Sequence, residues 1–322
     1  MLMNKFLRDI NIITILILSI LLGLISLTGD RFYLYISSLF MIYSLYALSY
    51  NLLYGYAKLL SFGHGMFFAT GAYITGLFTL RIFKDPLIGL LISIISTIPF
   101  ALLIGYITLR HTKVYFAILT LALSMFVYAI LIKWRDVTGG SDGLVGIPKK
   151  GVIVDISSPQ LNYLFILIFF VLSSLTLYLL INSSRGLLIK ALVNEERLLF
   201  TGHNVLVIRL YAFMISGVVA ALSGSLYAVF MSVITPDIAY WTFSAEPLIM
   251  TLLGGSDYYL GPLLGAAIYV SLTTALARFA EYWMLLLGIT MIAIIISFRG
   301  GVLGALILVT TRLKDKRLKT SR

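Results

Sequence analysis

LIGLLISIISTIPFALLIGYITL, residues Leu87–Leu109, runs for 23 positions without a charged side chain. A helix rises about 1.5 Å per residue, so about 20 apolar residues cover the roughly 30 Å of a bilayer's hydrocarbon. This stretch therefore reads as a membrane span. Comparable runs occur at Ile10–Leu27, Phe32–Leu53, Leu59–Leu80, Val114–Ile132, Leu161–Ile181 and Leu210–Val233. In the last third, Ala245–Leu253 is too short to span alone, Leu263–Ala277 is marginal and Tyr282–Phe298 is nearly full length. The expectation is an all-α polytopic membrane protein, one transmembrane domain over residues 1–322, with about ten transmembrane helices, some short or broken.

Composition agrees. Of 322 residues, 60% are hydrophobic and 11% charged, whereas soluble domains are about 45–50% apolar and about 25% charged. A soluble fold has too little interior for that much apolar surface. The chain has no cysteine, which excludes a disulfide scaffold, a thiol nucleophile and a thiolate metal site. Lys5 and Arg8 precede the first run as they would in a signal peptide. That run is longer than a signal's apolar core, however, and no small-x-small cleavage site follows it, so it reads as a helix.

The distribution of charge predicts orientation. With the N-terminus cytoplasmic and ten crossings, 16 of the 24 basic residues fall inside, and the net charge of +11 lies wholly on that side. The positive-inside rule expects this arrangement and places both termini in the cytoplasm. The basic tail 312–322 then reads as a topology anchor near anionic lipid rather than a nucleic-acid patch. Two connections stand out. Segment 133–160, outside, is polar and glycine-rich. Segment 182–209, inside, carries Lys190, Asn194, Arg197 and Thr201 at helical spacing, with Leu188, Leu192 and Leu199 towards the other side. That pattern predicts a short amphipathic helix, resting at the headgroups or docked into another protein.

The motifs of chemistry are missing. There is no GxxxxGK[ST] phosphate loop and no GxSxG elbow, and His64, His111 and His203 form no HExxH or other ligand spacing. No catalytic residue, metal or cofactor is expected. Two ionisable groups fall in apolar surroundings. His64 is open to a structural reading, as a neutral ring bonded to a backbone carbonyl. Glu246, before Pro247, is open to one as a helix-capping carboxylate. Self-powered transporters usually carry more intramembrane charge than this. Small residues cluster in SFGHG (Ser61–Gly65), ATGAY (Ala69–Tyr73) and GPLLGAA (Gly261–Ala267), and GGSDYYLGP (Gly254–Pro262) interrupts an apolar region. Broken helices at membrane depth persist only when buried in protein or lining a wet cavity. Ser61, Gly63, His64, Gly65, Phe68, Glu246, Gly254 and Gly255 are therefore candidates for a translocation path.

NLLYGYAKLLSFGHGMFFATGAY (Asn51–Tyr73), TGGSDGLVGIP (Thr138–Pro148), GHNV (Gly202–Val205), LIMTLLGG (Leu248–Gly255), GPLLGAA and a late RGG (Arg299–Gly301) occur in that order. In this series the chain resembles, along almost its whole length, the LivM-type permease subunits of branched-chain amino-acid ABC importers. The resemblance implies a type II ABC importer-like permease in a prokaryotic plasma membrane. It implies as partners a second homologous permease subunit, two cytoplasmic ATPase subunits that bind the ATP, and an extracytoplasmic solute-binding protein. Segment 182–209 becomes the coupling segment, with Lys190, Asn194, Glu195, Glu196, Arg197 and Gly202 matching the family's basic-x-x-Asn-Glu stretch. Anchored on Gly202, the Asn-Glu pair is Asn194 and Glu195; anchored on Gly186, the match moves to Glu195 and Glu196. Leu198 and Leu199 stand where the family often has alanines. The cargo implied is a branched-chain or related amino acid, with urea or small amides as the same-family alternative. A stand-alone ion-coupled transporter is the alternative from another class.

Overall fold

The computed structural model describes residues 2–111, 114–277, 283–298 and 300–307. Lys113, Arg278, Arg299 and the basic tail 312–322 lie outside the described residues. Thirteen α-helices are described: α1 (Leu2–Thr28), α2 (Arg31–Asn51), α3 (Gly65–Arg81), α4 (Pro86–Thr108), α5 (Val114–Lys133), α6 (Arg135–Thr138), α7 (Pro159–Ile181), α8 (Ser184–Ala191), α9 (Glu195–Phe200), α10 (Val205–Met231), α11 (Trp241–Gly254), α12 (Gly261–Leu276) and α13 (Trp283–Ser297). Six helical stretches among the described residues are long and apolar enough to cross a membrane: Arg31–Tyr56, Pro86–Thr108, Val114–Lys133, Pro159–Ile181, Val205–Met231 and Leu285–Ile307. The protein is an all-α polytopic membrane protein.

Helix starts follow local chemistry. Asp30, Asp85, Ser158 and Asn204 each accept hydrogen bonds from backbone N–H groups of the first turn that follows, and Pro86 and Pro159 stand where a missing N–H costs nothing. The burial pattern inverts that of a soluble bundle. On α4, Leu91, Ile95 and Leu103 face outward while Ser93 and Thr97 are fully buried. Lipid is as apolar as leucine, so helices associate through close packing and hydrogen bonds rather than through apolar burial.

Helix α10 forms the centre of that packing. A Cβ on Gly71 of α3 would lie 2.0 Å from the Ala221 carbonyl oxygen, and one on Gly224 would lie 1.9 Å from that of Phe68, so α3 and α10 touch backbone to backbone. Serines on α10 tie it to its neighbours. Ser216 Oγ donates to Ser49 O (2.6 Å), Ser223 Oγ to Ile42 O (2.7 Å) and Ser225 Oγ to Gly71 O (3.1 Å). A second, smaller core joins α2, α11, α12 and α13 around Ala47, Met250, Leu253, Ala266 and Met291.

Two expectations change. The run Leu59–Leu80 is not one helix: residues 57–64 are irregular and α3 begins at Gly65. Lys58 adopts φ 55°, which no helix accommodates. The 182–209 segment is not one amphipathic helix. It divides into α8 and α9 around Leu192–Asn194, and from Val205 the chain already belongs to α10. Within it, Leu198 is buried and Leu199 exposed, against the predicted stripe. Segment 133–160, the polar connection between α5 and α7, carries short elements of its own. It contains α6 and a two-residue strand β1 (Leu144–Val145), antiparallel to β2 (Val233–Ile234) after α10.

Candidate functional site

The chain between α2 and α3 breaks the helical pattern inside the packed core. Helix α2 widens into a π-turn at Leu52–Tyr56 before the irregular residues begin. The backbone groups released by that break find partners in the protein. Tyr50 Oη donates to Ser61 O (3.0 Å), Phe62 N to Thr120 Oγ1 (3.2 Å) and Gly65 N to Ser244 Oγ (2.8 Å). In hydrocarbon each of these groups, left alone, would cost several kcal/mol.

Ser61 and His64 are both fully buried. His64 Nε2 lies 2.9 Å from Ser49 Oγ, so its partner is a hydroxyl rather than the expected backbone carbonyl, and Nδ1 meets no partner among the described residues. The ring stacks on Tyr46 at 5.6 Å. Gly63 and Gly65 are required by closeness: a Cβ on Gly63 would lie 2.0 Å from Thr120 O, and on Gly65 2.6 Å from Ser244 Oγ. Phe68 packs against Tyr46 (4.8 Å), Phe243 (4.9 Å) and Tyr227 (5.5 Å). The structure thus brings Ser61, Gly63, His64, Gly65 and Phe68 into one packed nest.

Glu246 joins the edge of this nest. The capping reading is corrected: α11 begins at Trp241, so Glu246 sits in the second turn, past the positions whose N–H groups are unpaired. Its electrostatic neighbours are tyrosines of three other helices: Tyr269 of α12, Tyr43 and Tyr46 of α2, and Tyr227 of α10. Its Oε2 meets no donor among the described residues. Pro247 cannot donate to the Phe243 carbonyl, and Tyr46 Oη occupies that carbonyl at 3.4 Å.

Gly254 and Gly255 lie apart from His64, at the corner between α11 and α12. Gly255 has φ 109°, and a Cβ on Gly254 would lie 1.7 Å from Gly261 O. That corner meets the α2–α3 break: Lys58 Nζ reaches Asp257 Oδ1 at 3.5 Å, and a Cβ on Gly55 would lie 2.5 Å from Ser256 O.

The α8–α9 elbow occupies the same end of the bundle. Asn194 caps α9 by accepting from Arg197 N (3.1 Å). Glu195 pairs with Arg209 of α10, whose guanidinium is almost wholly buried and also donates to Leu109 O (3.4 Å). Asn194, Glu195, Glu196, Lys58 and Arg209 border a cleft of about 810 Å³. Lys190 borders a neighbouring cleft of about 680 Å³ with Asp257, and its ammonium lies 5.4 Å from the Tyr56 ring centre. Burial holds the Lys190 amine below its ordinary pKa. Arg197 is exposed, and Gly202 turns the chain at φ 77° in open space. Leu187, Val193, Leu199 and Phe200 are exposed around them, Phe200 at 91%. Arg209 was missed as a functional residue because the sequence reading assigned it to the cytoplasmic loop. The signal for it was there: a lone cation five residues after a capping asparagine, inside an apolar run.

Among the described residues no three His, Asp or Glu side chains form a metal site. What the fold and this arrangement define is a polytopic membrane protein packed around α10, with a broken segment buried between α2 and α3 and a charged elbow exposed at one end. The comparisons agree on the class. Residues 32–295 match the family described as branched-chain amino acid transport system, permease component, and the chain belongs to that family. It is 29% identical over 291 residues to the high-affinity branched-chain amino acid transport system permease protein LivM of Salmonella typhimurium, covering 81% of this chain and 67% of that one. The LivM protein of Escherichia coli is also 29% identical, over 286 residues with the same shares. A probable branched-chain amino acid transport permease protein LivM of Methanocaldococcus jannaschii is 25% identical over 293 residues, 82% of this chain and 83% of its own. No solved structure matches.

Proposed function

We propose that this chain is one permease subunit of an ATP-binding-cassette importer. It translocates branched-chain or related amino acids handed over by an extracytoplasmic solute-binding protein. A second homologous permease completes the membrane part, and two cytoplasmic ATPases bind and hydrolyse the ATP. The observation that carries this reading is the α8–α9 elbow. It exposes charged and apolar side chains together, it is capped at Asn194, and the Glu195–Arg209 pair ties it to α10, the central packing helix. A push on such an element is delivered to the whole bundle, because close-packed helices rearrange as units.

The mechanism is alternating access. ATP bound to the partner ATPases favours one of two packings of the permease, and the loaded binding protein favours the outward-competent one. Ten crossings with both termini cytoplasmic complete the topology, supported by the one-sided basic charge. Lys190, Asn194, Glu195, Glu196, Arg197 and Gly202 form the coupling surface. Ser61, Gly63, His64, Gly65, Phe68, Glu246, Gly254 and Gly255 mark the two breaks beside the path; their buried, protein-satisfied backbone supports that placement. A zwitterion needs little net charge along such a path, since half-helix ends and hydroxyls can hold it.

Affinity purification of the tagged chain from its native membrane tests the assignment. Two ATPases and a second permease should accompany it, and the recovered binding protein, titrated with leucine, isoleucine, valine and urea, should take the branched-chain amino acids. A chain that comes away alone and folded, and that moves solute in liposomes under an ion gradient, would instead identify a secondary transporter.

A further inference from the structure

Lys58 stands at the seam between the two clefts at the elbow end of the bundle. Among the described residues, it and Val193 of the elbow are the two that border both the cleft of about 810 Å³ and the one of about 680 Å³. The charges around that seam are only partly paired. Lys58 Nζ lies 3.5 Å from Asp257 Oδ1, with the two side chains 49% and 73% exposed, and Glu195 is committed to Arg209. On the larger cleft, Glu196 is exposed and makes no ion pair among the described residues. On the smaller one, Lys190 lies over the Tyr56 ring, with no carboxylate of the described residues within ion-pair distance. Lys58, Lys190, Glu196 and Asp257 could form two pairs, and this packing forms one.

The pair that does form is easily given up. An exposed ion pair contributes little to stability, and lysine carries its charge on a flexible four-carbon stem. The backbone at Lys58 is also strained. Its φ of 55° is one that an L side chain takes at a cost and that glycine takes freely at the end of a helix. The turn before it is unsatisfied. Helix α2 widens at Leu52–Tyr56, and Asn51, only 1% exposed, has neither Oδ1 nor Nδ2 paired among the described residues. A buried unpaired amide disfavours this packing relative to one that pairs it, and π-turns inside helices are frequent at functional sites.

We propose that Lys58 is a two-position switch between packings of the permease. In this packing it holds Asp257 and so ties the α2–α3 break to the α11–α12 corner. When the elbow swings toward the break, Lys58 passes to Glu196 and Asp257 is released to Lys190, so that each cleft narrows on a paired charge. The four charges sum to zero in either state. The inference rests on the coupling role proposed for the elbow and supplies that role's contacts within this chain.

The absence of native cysteine makes the exchange measurable. The full chain carrying Lys58→Cys with Asp257→Cys, or Lys58→Cys with Glu196→Cys, is purified with cysteine-free partners. It is treated with a short bifunctional thiol reagent, first without nucleotide and then after trapping with ATP and vanadate. The 58–257 and 58–196 cross-links should trade places between the two conditions, their ratio shifting about fivefold, the equilibrium value of a good exposed ion pair. Lys58→Gly, which relieves the backbone, gives a second reading without cysteines. It should keep or raise the melting temperature of the complex, yet lower the solute taken up per ATP hydrolysed about fivefold. A 58–196 cross-link that never forms, a 58–257 cross-link equal in both conditions, or unaltered uptake per ATP in Lys58→Gly would overturn the switch and leave the coupling surface standing. A chain recovered without ATPases would overturn the coupling reading itself, and the switch with it.

Discussion

Asp85 shows how one side chain can organise a membrane protein's surface. One carboxylate oxygen caps α4 through Leu87 N (3.0 Å) and Ile88 N (3.3 Å), and the other holds segment 133–160 through Ile153 N (2.6 Å) and Val154 N (3.3 Å). Burial pushes its carboxyl pKa up, but the four N–H donors outweigh that and hold it below the ordinary 3.8. A depressed pKa in the folded state contributes stability above pH about 4 and loses it as the pH falls through the folded value. Asp85→Asn replaces one acceptor oxygen by a donor facing two N–H groups, and should cost about 1–3 kcal/mol at pH 7. Thermal unfolding in nanodiscs checks this: the gap between wild type and variant should be full at pH 7 and narrow below pH about 4. The Glu195–Arg209 pair yields a second expectation. Arg209 is buried and Glu195 is 43% exposed, so removing either partner is not symmetrical. Glu195→Leu strands a buried guanidinium and should cost about 1–3 kcal/mol, allowing for solvent at the glutamate, whereas Arg209→Leu leaves a hydrated carboxylate and costs less. The reverse order in a denaturation series would contradict the described burial.

At the scale of elements, α10 depends on small residues more than on any apolar contact. The Gly224–Phe68 and Gly71–Ala221 approaches leave no room for a side chain, so Gly71→Val should separate α3 from α10 and abolish stable insertion. The serine tethers are weaker individually. Ser216→Ala and Ser223→Ala should each cost about 0.6 kcal/mol, the average for hydrogen bonds between helices in a bilayer. Losses of several kcal/mol from either serine, in steric trapping or denaturant unfolding, would mean that the packing account is incomplete. The break after α2 follows the same logic in reverse, since its irregular backbone persists because Tyr50, Thr120 and Ser244 serve it from three directions.

At the scale of the whole molecule, the exposed elbow and the permease family lead to one expectation about assembly. Glu195→Arg with Glu196→Arg inverts the charge beside the 810 Å³ cleft. The double variant should still reach the membrane, less stable by at least the lost Glu195–Arg209 pair, and should lose substrate uptake and the stimulation of partner ATPase activity. Retention of both would remove the coupling role from this surface. Expression level and protease protection of the variant separate uncoupling from failed insertion.

The amino-acid sequence alone determined the class of the protein. Uncharged runs such as Leu87–Leu109 leave the chain no solvent but lipid, and the edges of such runs at Phe32 and Leu87 fall one residue from the helix starts at Arg31 and Pro86. The ordered motifs from Asn51 to Gly301 were sufficient to place it in its family. Tertiary structure decided where hydropathy is blind. An apolar stretch such as Leu59–Leu80 reads alike whether helical or broken, and the outcome rests on partners up to about 180 positions away, as with Ser244 on Gly65. The surroundings of Glu246 and Arg209 were illegible for the same reason. A polar side chain's meaning in a membrane protein lies in which donors, acceptors and cavities the other helices bring to it, and neither periodicity nor composition records that.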